Sequence, residues 1–110
     1  MSSGVAQTWL VALSVWASGK PSIRSAWVFG SRAKNKHTQE SDLDIALLLQ
    51  PDDGKVLADW IFNAANWREE AQAAIGPHPR IDLQHAWPGE DEIVWPAVQA
   101  HGVLFFERDK

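Results

Sequence analysis

Three acidic residues and one small-residue turn carry the chemistry in this sequence. Asp42 and Asp44 flank Leu43 in the run Ser41-Asp42-Leu43-Asp44-Ile45. In an extended chain, residues two apart point to the same side, so two carboxylates share one face while Leu43 and Ile45 take the other. Like charges that close repel, and a divalent cation that prefers hard oxygen ligands, such as Mg²⁺, removes the repulsion. Asp82 stands between Ile81 and Leu83, an acid on the opposite face from both. If its strand neighbours the first, it joins the pair as a third carboxylate. Gly30-Ser31-Arg32 follows an apolar run. Glycine lets backbone approach an anion closely, Ser31 offers a hydroxyl, and Arg32 adds a cation with a planar donor fork. A helix beginning there would present unpaired N–H groups and the positive end of its dipole. Three acids beside such a turn suit phosphoryl or nucleotidyl transfer assisted by two metal ions. The plainer alternatives are an ordinary turn and a strand end bearing solvated acids.

These residues need strands and a turn to hold them, and the pattern supplies both. Residues 6–17 place Trp9, Leu10, Leu13, Trp16 and Ala17 at helical spacing, with Gly19 beyond as a C-cap. Ser25–Phe29 reads as a short strand that leads into Gly30 and a short helix. Asp42–Leu49 reads as a strand whose second half is continuously apolar, hence central and buried on both faces. Asp52 or Asp53 is expected to cap a long helix reaching about Ile75, with Val56, Leu57, Trp60, Ile61, Ala64, Trp67, Ala71 and Ile75 on its apolar face. Arg80–Trp87 forms a third strand, Asp91–Ala100 a further helix ending at Gly102, and Val103–Phe106 a fourth strand. The order is that of an α/β or α+β domain with helices packed on a sheet.

Composition bounds the rest. The chain has 110 residues, no cysteine, seven tryptophans and a net charge of −4. That length is one domain. Without cysteine there is no disulfide, thiolate catalysis or Cys-ligated zinc. No apolar run approaches the ~20 residues that span a bilayer. The first twenty residues lack the features of a signal peptide, so a cytoplasmic location is expected. The acidic total argues against non-specific nucleic-acid binding. Charge is nonetheless segregated. Residues 20–36 hold five bases and no acid, whereas residues 40–59 hold six acids and one base.

Gly30-Ser31, ten intervening residues, then Asp42-Leu43-Asp44 resembles the signature of the DNA polymerase β-like nucleotidyltransferase superfamily. Within it the chain looks like a minimal nucleotidyltransferase domain spanning residues 1–110. Val28-Phe29-Gly30-Ser31-Arg32-Ala33, Ile81-Asp82-Leu83 and His101-Gly102-Val103-Leu104-Phe105-Phe106 extend the likeness over about residues 25–106. The resemblance implies a mixed four-stranded sheet and transfer of a nucleoside monophosphate, AMP from ATP being the expected case, to a hydroxyl. It also implies roles. Gly30 and Ser31 would bind the β- and γ-phosphates, with Arg32 and Lys34 adding charge. Asp42 and Asp44 would ligate two Mg²⁺ ions, and Asp82 the catalytic one. In small relatives the acceptor is often a tyrosine of a partner HEPN-domain toxin, whose antitoxin the nucleotidyltransferase is, so a HEPN partner and a homo- or hetero-oligomer are the expectations here. A non-catalytic antitoxin that works by contact, or a transferase acting on a small molecule such as an aminoglycoside, are the alternatives. Where many relatives continue Arg-Gly, this chain has Lys34-Asn35, and Asn tolerates a left-handed backbone best among non-glycine residues.

Other residues receive milder expectations. His37, His78, His85 and His101 lack metal-ligand spacing and read as structural or surface residues, with His37 placed in the basic loop near any phosphate. Trp27 and Trp60 are expected in the core, and one or two of the tryptophans against a partner subunit.

Overall fold

The computed structural model describes residues 5–50 and 55–108. The chain runs α1 (Gln7–Ser18), β1 (Ile23–Phe29), α2 (Gly30–Ala33), β2 (Leu43–Leu49), α3 (Val56–Ile75), β3 (Ile81–His85), α4 (Val94–His101) and β4 (Val103–Glu107). The expected order of elements is therefore present. The cap proposed at Asp52 or Asp53 lies outside the described residues, and Asp42 sits just ahead of its strand rather than within it.

The four strands form one mixed sheet in the order β3-β2-β1-β4. β1 pairs antiparallel with both β2 and β4, while β2 and β3 run parallel. A parallel pair needs a crossover, and the twenty-residue α3 provides it. The apolar second half of β2 now has its reason. The strand is central, and Leu43, Ile45, Ala46 and Leu47 are fully buried.

The two sheet faces are covered unequally. On one, Leu13 and Ala17 of α1 and Trp67 and Ala71 of α3 pack over Ala26, Val28, Ile45 and Leu47. On the other, Val98 and Trp95 of α4 cover Trp27, Phe29 and Ala46. Trp27 and Trp95 meet edge to face, with ring centroids 5.7 Å apart. Asp44 shares this second face with Ala46, because strand side chains alternate. The eight-residue α4 packs on β1 and reaches Ala46 of β2, while Asp44 on the same face stays partly exposed. Gly102 ends α4 where a Cβ would come within 2.6 Å of the Val98 carbonyl oxygen.

Several burial expectations change. Trp27 and Trp60 are only partly buried, whereas Trp67 is 7 % exposed and anchors α3. Leu57 and Ile61 do not pack inward. With Phe62 they are 56 %, 67 % and 84 % exposed. The spacing put them on an apolar face, but α3 turns only its Trp67–Ala71 side to the sheet and α1. No helix among the described residues is long and apolar enough to cross a membrane.

Candidate active site

β1 delivers the chain to that second face at Phe29, and Gly30 turns it. Gly30 adopts φ +78°, which side chains disfavour. A Cβ at this position would fall within the Asp44 carboxylate. The site thus needs glycine twice, for backbone handedness and for the space Asp44 occupies. α2 is a single turn, so the dipole expected at its N-terminus is small. What the turn offers an anion is local: Ser31, half-buried, and Lys34, exposed at the end of the turn. Asn35 takes the left-handed conformation at φ 60°, as its residue type suggests.

Arg32 does not face the anion side as expected. It is 6 % exposed, and its guanidinium donates to the carbonyl oxygens of Ser41 at 3.0 Å and of Thr38 and Gln39 at 3.4 Å. It also lies 5.6 Å from the ring centre of Trp9. A planar fork is suited to gathering carbonyls. Arg32 therefore ties the 34–41 loop to α2 and so presents Asp42. Arg32→Ala should lower unfolding free energy by about 2–3 kcal/mol without any nucleotide present. Arg32→Lys should recover little, because an ammonium cannot span three carbonyls. Denaturant melts of the apoprotein check this, and unchanged stability would return Arg32 to phosphate binding.

The acids meet through the sheet. Asp44 and Asp82 are register partners in the parallel β2–β3 pair, which sets their carboxyl groups side by side on one face. Burial, then the charges of Asp82 and Asp42, push the Asp44 carboxyl up to about 6. Asp82 is further held by Gln84, whose Nε2 donates to Oδ1 at 2.9 Å. Asp42 is exposed and acts on Asp44 at longer range than Asp82 does. Among the described residues, no three potential ligands are gathered into a ready-made metal cluster. The expected triad is accordingly a register-matched pair with a third acid beside it, since three carboxylates in one place repel and Asp42 has water available. A half-buried site with all-oxygen donors and more negative charge than it can keep ionised suits a hard divalent cation.

A cleft of about 460 Å³ adjoins Asp42 and Asp82 and is also lined by Arg68 and Arg80. Arg68 donates to the Ile81 carbonyl oxygen at 2.9 Å, bracing the start of β3. A more apolar cavity of about 420 Å³ lies at the other end of β2 and β3, beside His85 and Trp87, away from the acids. His85 is a core residue. Its Nε2 accepts the Leu49 N–H, its ring stacks on Trp87, and burial lowers its pKa to about 4. His37 is partly buried, with Nδ1 lacking a hydrogen-bond partner, so the structure supplies no sign that it reaches the turn.

Two residues of the site were not foreseen. Gln84 was findable, because it lies two positions beyond Asp82 on the same strand face. His101 was not. Its Nε2 accepts the Gly30 N–H at 3.0 Å across 71 positions of sequence, and nothing local announces that contact.

Residues 13–110 match the family described as polymerase beta, nucleotidyltransferase. No curated protein matches by sequence. Three solved structures share the fold. A toxin–antitoxin with AMP-PNP is 17 % identical with a TM-score of 0.64, over 91 % of this chain and 74 % of that one. The toxin–antitoxin MntA–HpeT with two aspartates, two positions apart, changed to glutamate is 16 % identical with a TM-score of 0.62, over 92 % and 74 %. The same pair with a tyrosine changed to alanine is 20 % identical with a TM-score of 0.59, over 96 % and 75 %.

Proposed function

This chain belongs to the polymerase beta nucleotidyltransferase family, and on that premise we propose that it transfers a nucleoside monophosphate, AMP from ATP, to a hydroxyl on a partner protein. The acceptor is a tyrosine of a HEPN-domain toxin, and the chain is that toxin's antitoxin. The observation that carries the reading is the Asp44–Asp82 pair, set side by side by the β2–β3 register and against Gly30.

The chemistry follows from the placement of the groups. The acceptor oxygen attacks the α-phosphorus of the triphosphate, the bond between α-phosphorus and bridging oxygen breaks, and pyrophosphate leaves. Ser31 and Lys34 hold the β- and γ-phosphates. Asp82, oriented by Gln84, takes the proton of the acceptor hydroxyl. Asp42, Asp44 and Asp82 would hold magnesium, which when bound neutralises charge on the phosphates and favours the ionised acceptor. Arg32 is given a different task from the one its sequence position suggests, that of holding the loop.

Four observations support this reading. All three acids are present. Asp44 carries the raised pKa that marks functional carboxylates more often than structural ones. The fold neighbours include a toxin–antitoxin with AMP-PNP and a variant altered at two aspartates spaced like Asp42 and Asp44. The exposed Leu57, Ile61 and Phe62 on α3 are apolar area of the kind a partner protein covers.

The test is to incubate the chain with Mg²⁺, each nucleoside triphosphate in turn and a HEPN-domain partner, and to weigh the partner intact. One added nucleotide mass is expected with ATP, and none when Asp42→Ala and Asp44→Ala are combined. A partner that never gains mass, yet is still inhibited by the double variant, would mean neutralisation by contact.

A further inference from the structure

We infer that His101 is a positioning residue of the phosphate-binding turn, reserving the Gly30 amide and directing the triphosphate to Ser31. The inference rests on the nucleotidyltransferase reading above and adds to it a residue seventy positions away from the motif.

A backbone N–H at a turn that meets a ligand is normally available to it, and an anion would use it. Here the Gly30 N–H already donates to His101 Nε2 at 3.0 Å, a distance typical of a well-formed bond. With Nε2 accepting, the ring proton belongs on Nδ1. The other side of Gly30 is filled by Asp44, whose carboxylate occupies the space of a Cβ. Gly30 is thus held from two directions, by an imidazole on its amide and a carboxylate against its Cα. That grip sets the peptide between Phe29 and Gly30, and with it the direction of the next amide and of the Ser31 hydroxyl.

His101 is itself well placed to be a fixed point. It closes α4, which packs on β1 through Val98, and Gly102 follows in a spot too close to Val98 for any side chain. The ring therefore arrives at the turn on a short rigid helix rather than on a loop. Gly30 serves the site sterically, by leaving room for the Asp44 carboxylate, and Ser31 serves the triphosphate by donating.

Two substitutions separate an acceptor from mere bulk. His101→Phe keeps a ring and removes the acceptor, whereas His101→Gln keeps a carbonyl oxygen within reach. With the full chain, ATP and Mg²⁺, calorimetry should show binding weakened roughly three- to tenfold in His101→Phe and largely restored in His101→Gln. Transfer should show the loss in KM for ATP more than in kcat. On the free wild-type protein, long-range proton–nitrogen NMR should find the proton of His101 on Nδ1, with Nε2 bare. A proton on Nε2, or a Phe variant that binds ATP as tightly as wild type, would overturn the assignment. A wild-type chain that binds no triphosphate at all would sink the nucleotide reading and the His101 role together, whereas wild-type binding without selective loss in the Phe variant would sink the His101 role alone.

Discussion

Asp44→Asn is expected to lower nucleotide transfer by roughly 10²–10³-fold or more while making the protein more stable above pH 6. The two effects have one cause. In the folded chain the Asp44 carboxyl is raised from 3.8 to about 6, first by burial and then by Asp82 and Asp42. Folding therefore takes up a proton at this position between those two values. By linkage, wild-type stability falls as pH rises from about 4 to about 6 and then levels off, because the ionised form is the one the fold disfavours. The amide variant never ionises. Below pH 4 it should match wild type, and by pH 7 it should exceed it by about 1–2 kcal/mol once solvent screening of this partly exposed site is allowed for. For a domain of this size that is on the order of 5–10 °C in Tm. Melts at half-unit intervals from pH 3.5 to 8 check the sign. A variant no more stable than wild type at pH 7 would mean that Asp44 is not crowded by its neighbours. Mg²⁺ should narrow the gap in the same experiment by stabilising only wild type.

Gly30→Ala should abolish transfer through a single methyl group. A left-handed backbone costs alanine about 1–2 kcal/mol. The larger effect is local, because the new Cβ would fall within the Asp44 carboxylate and drive it from its place beside Asp82. Transfer should become undetectable, and the unfolding midpoint should drop by more than the backbone term alone explains. A double-mutant cycle with Asp44→Ala isolates the collision. With the carboxylate gone, two of the three closest atoms vanish and only the Asp44 Cβ at 3.3 Å remains. The cost of Gly30→Ala in that background should shrink toward the backbone value. Full additivity would refute the steric account. Asn35→Gly, at the neighbouring left-handed position, should be close to neutral, because glycine accepts φ 60° without strain.

Much of the site could be read from residue order, but not its wiring. Gly30-Ser31 follows β1 directly and the β2–β3 neighbourhood needed for Asp82 to meet Asp44 is present, whereas Asp42 stands just ahead of its strand. Arg32 was misread, because a base beside a Gly-Ser turn is the natural phosphate ligand until the fold shows three carbonyls that need a donor. Leu57 and Ile61 were misread for a related reason. Helical spacing reveals that a face is apolar, not whether the chain itself covers it.

What the sequence alone determined about this protein is whatever short-range rules decide. Alternation of period two puts Asp42 and Asp44 on one side of Leu43, the apolar run makes β2 central, and the absence of a Cβ marks Gly30 as the turn. These depend on covalent geometry and on neighbours within a few residues, so they hold in almost any context. Only the tertiary structure decided that Asp44 and Asp82 stand in register, that Arg32 turns inward, and that His101 caps the Gly30 amide. Each of these is a contact whose partner is chosen by how the whole sheet registers and which helix covers which face. That choice minimises buried unpaired polar groups over the entire molecule, and no local stretch of sequence contains it.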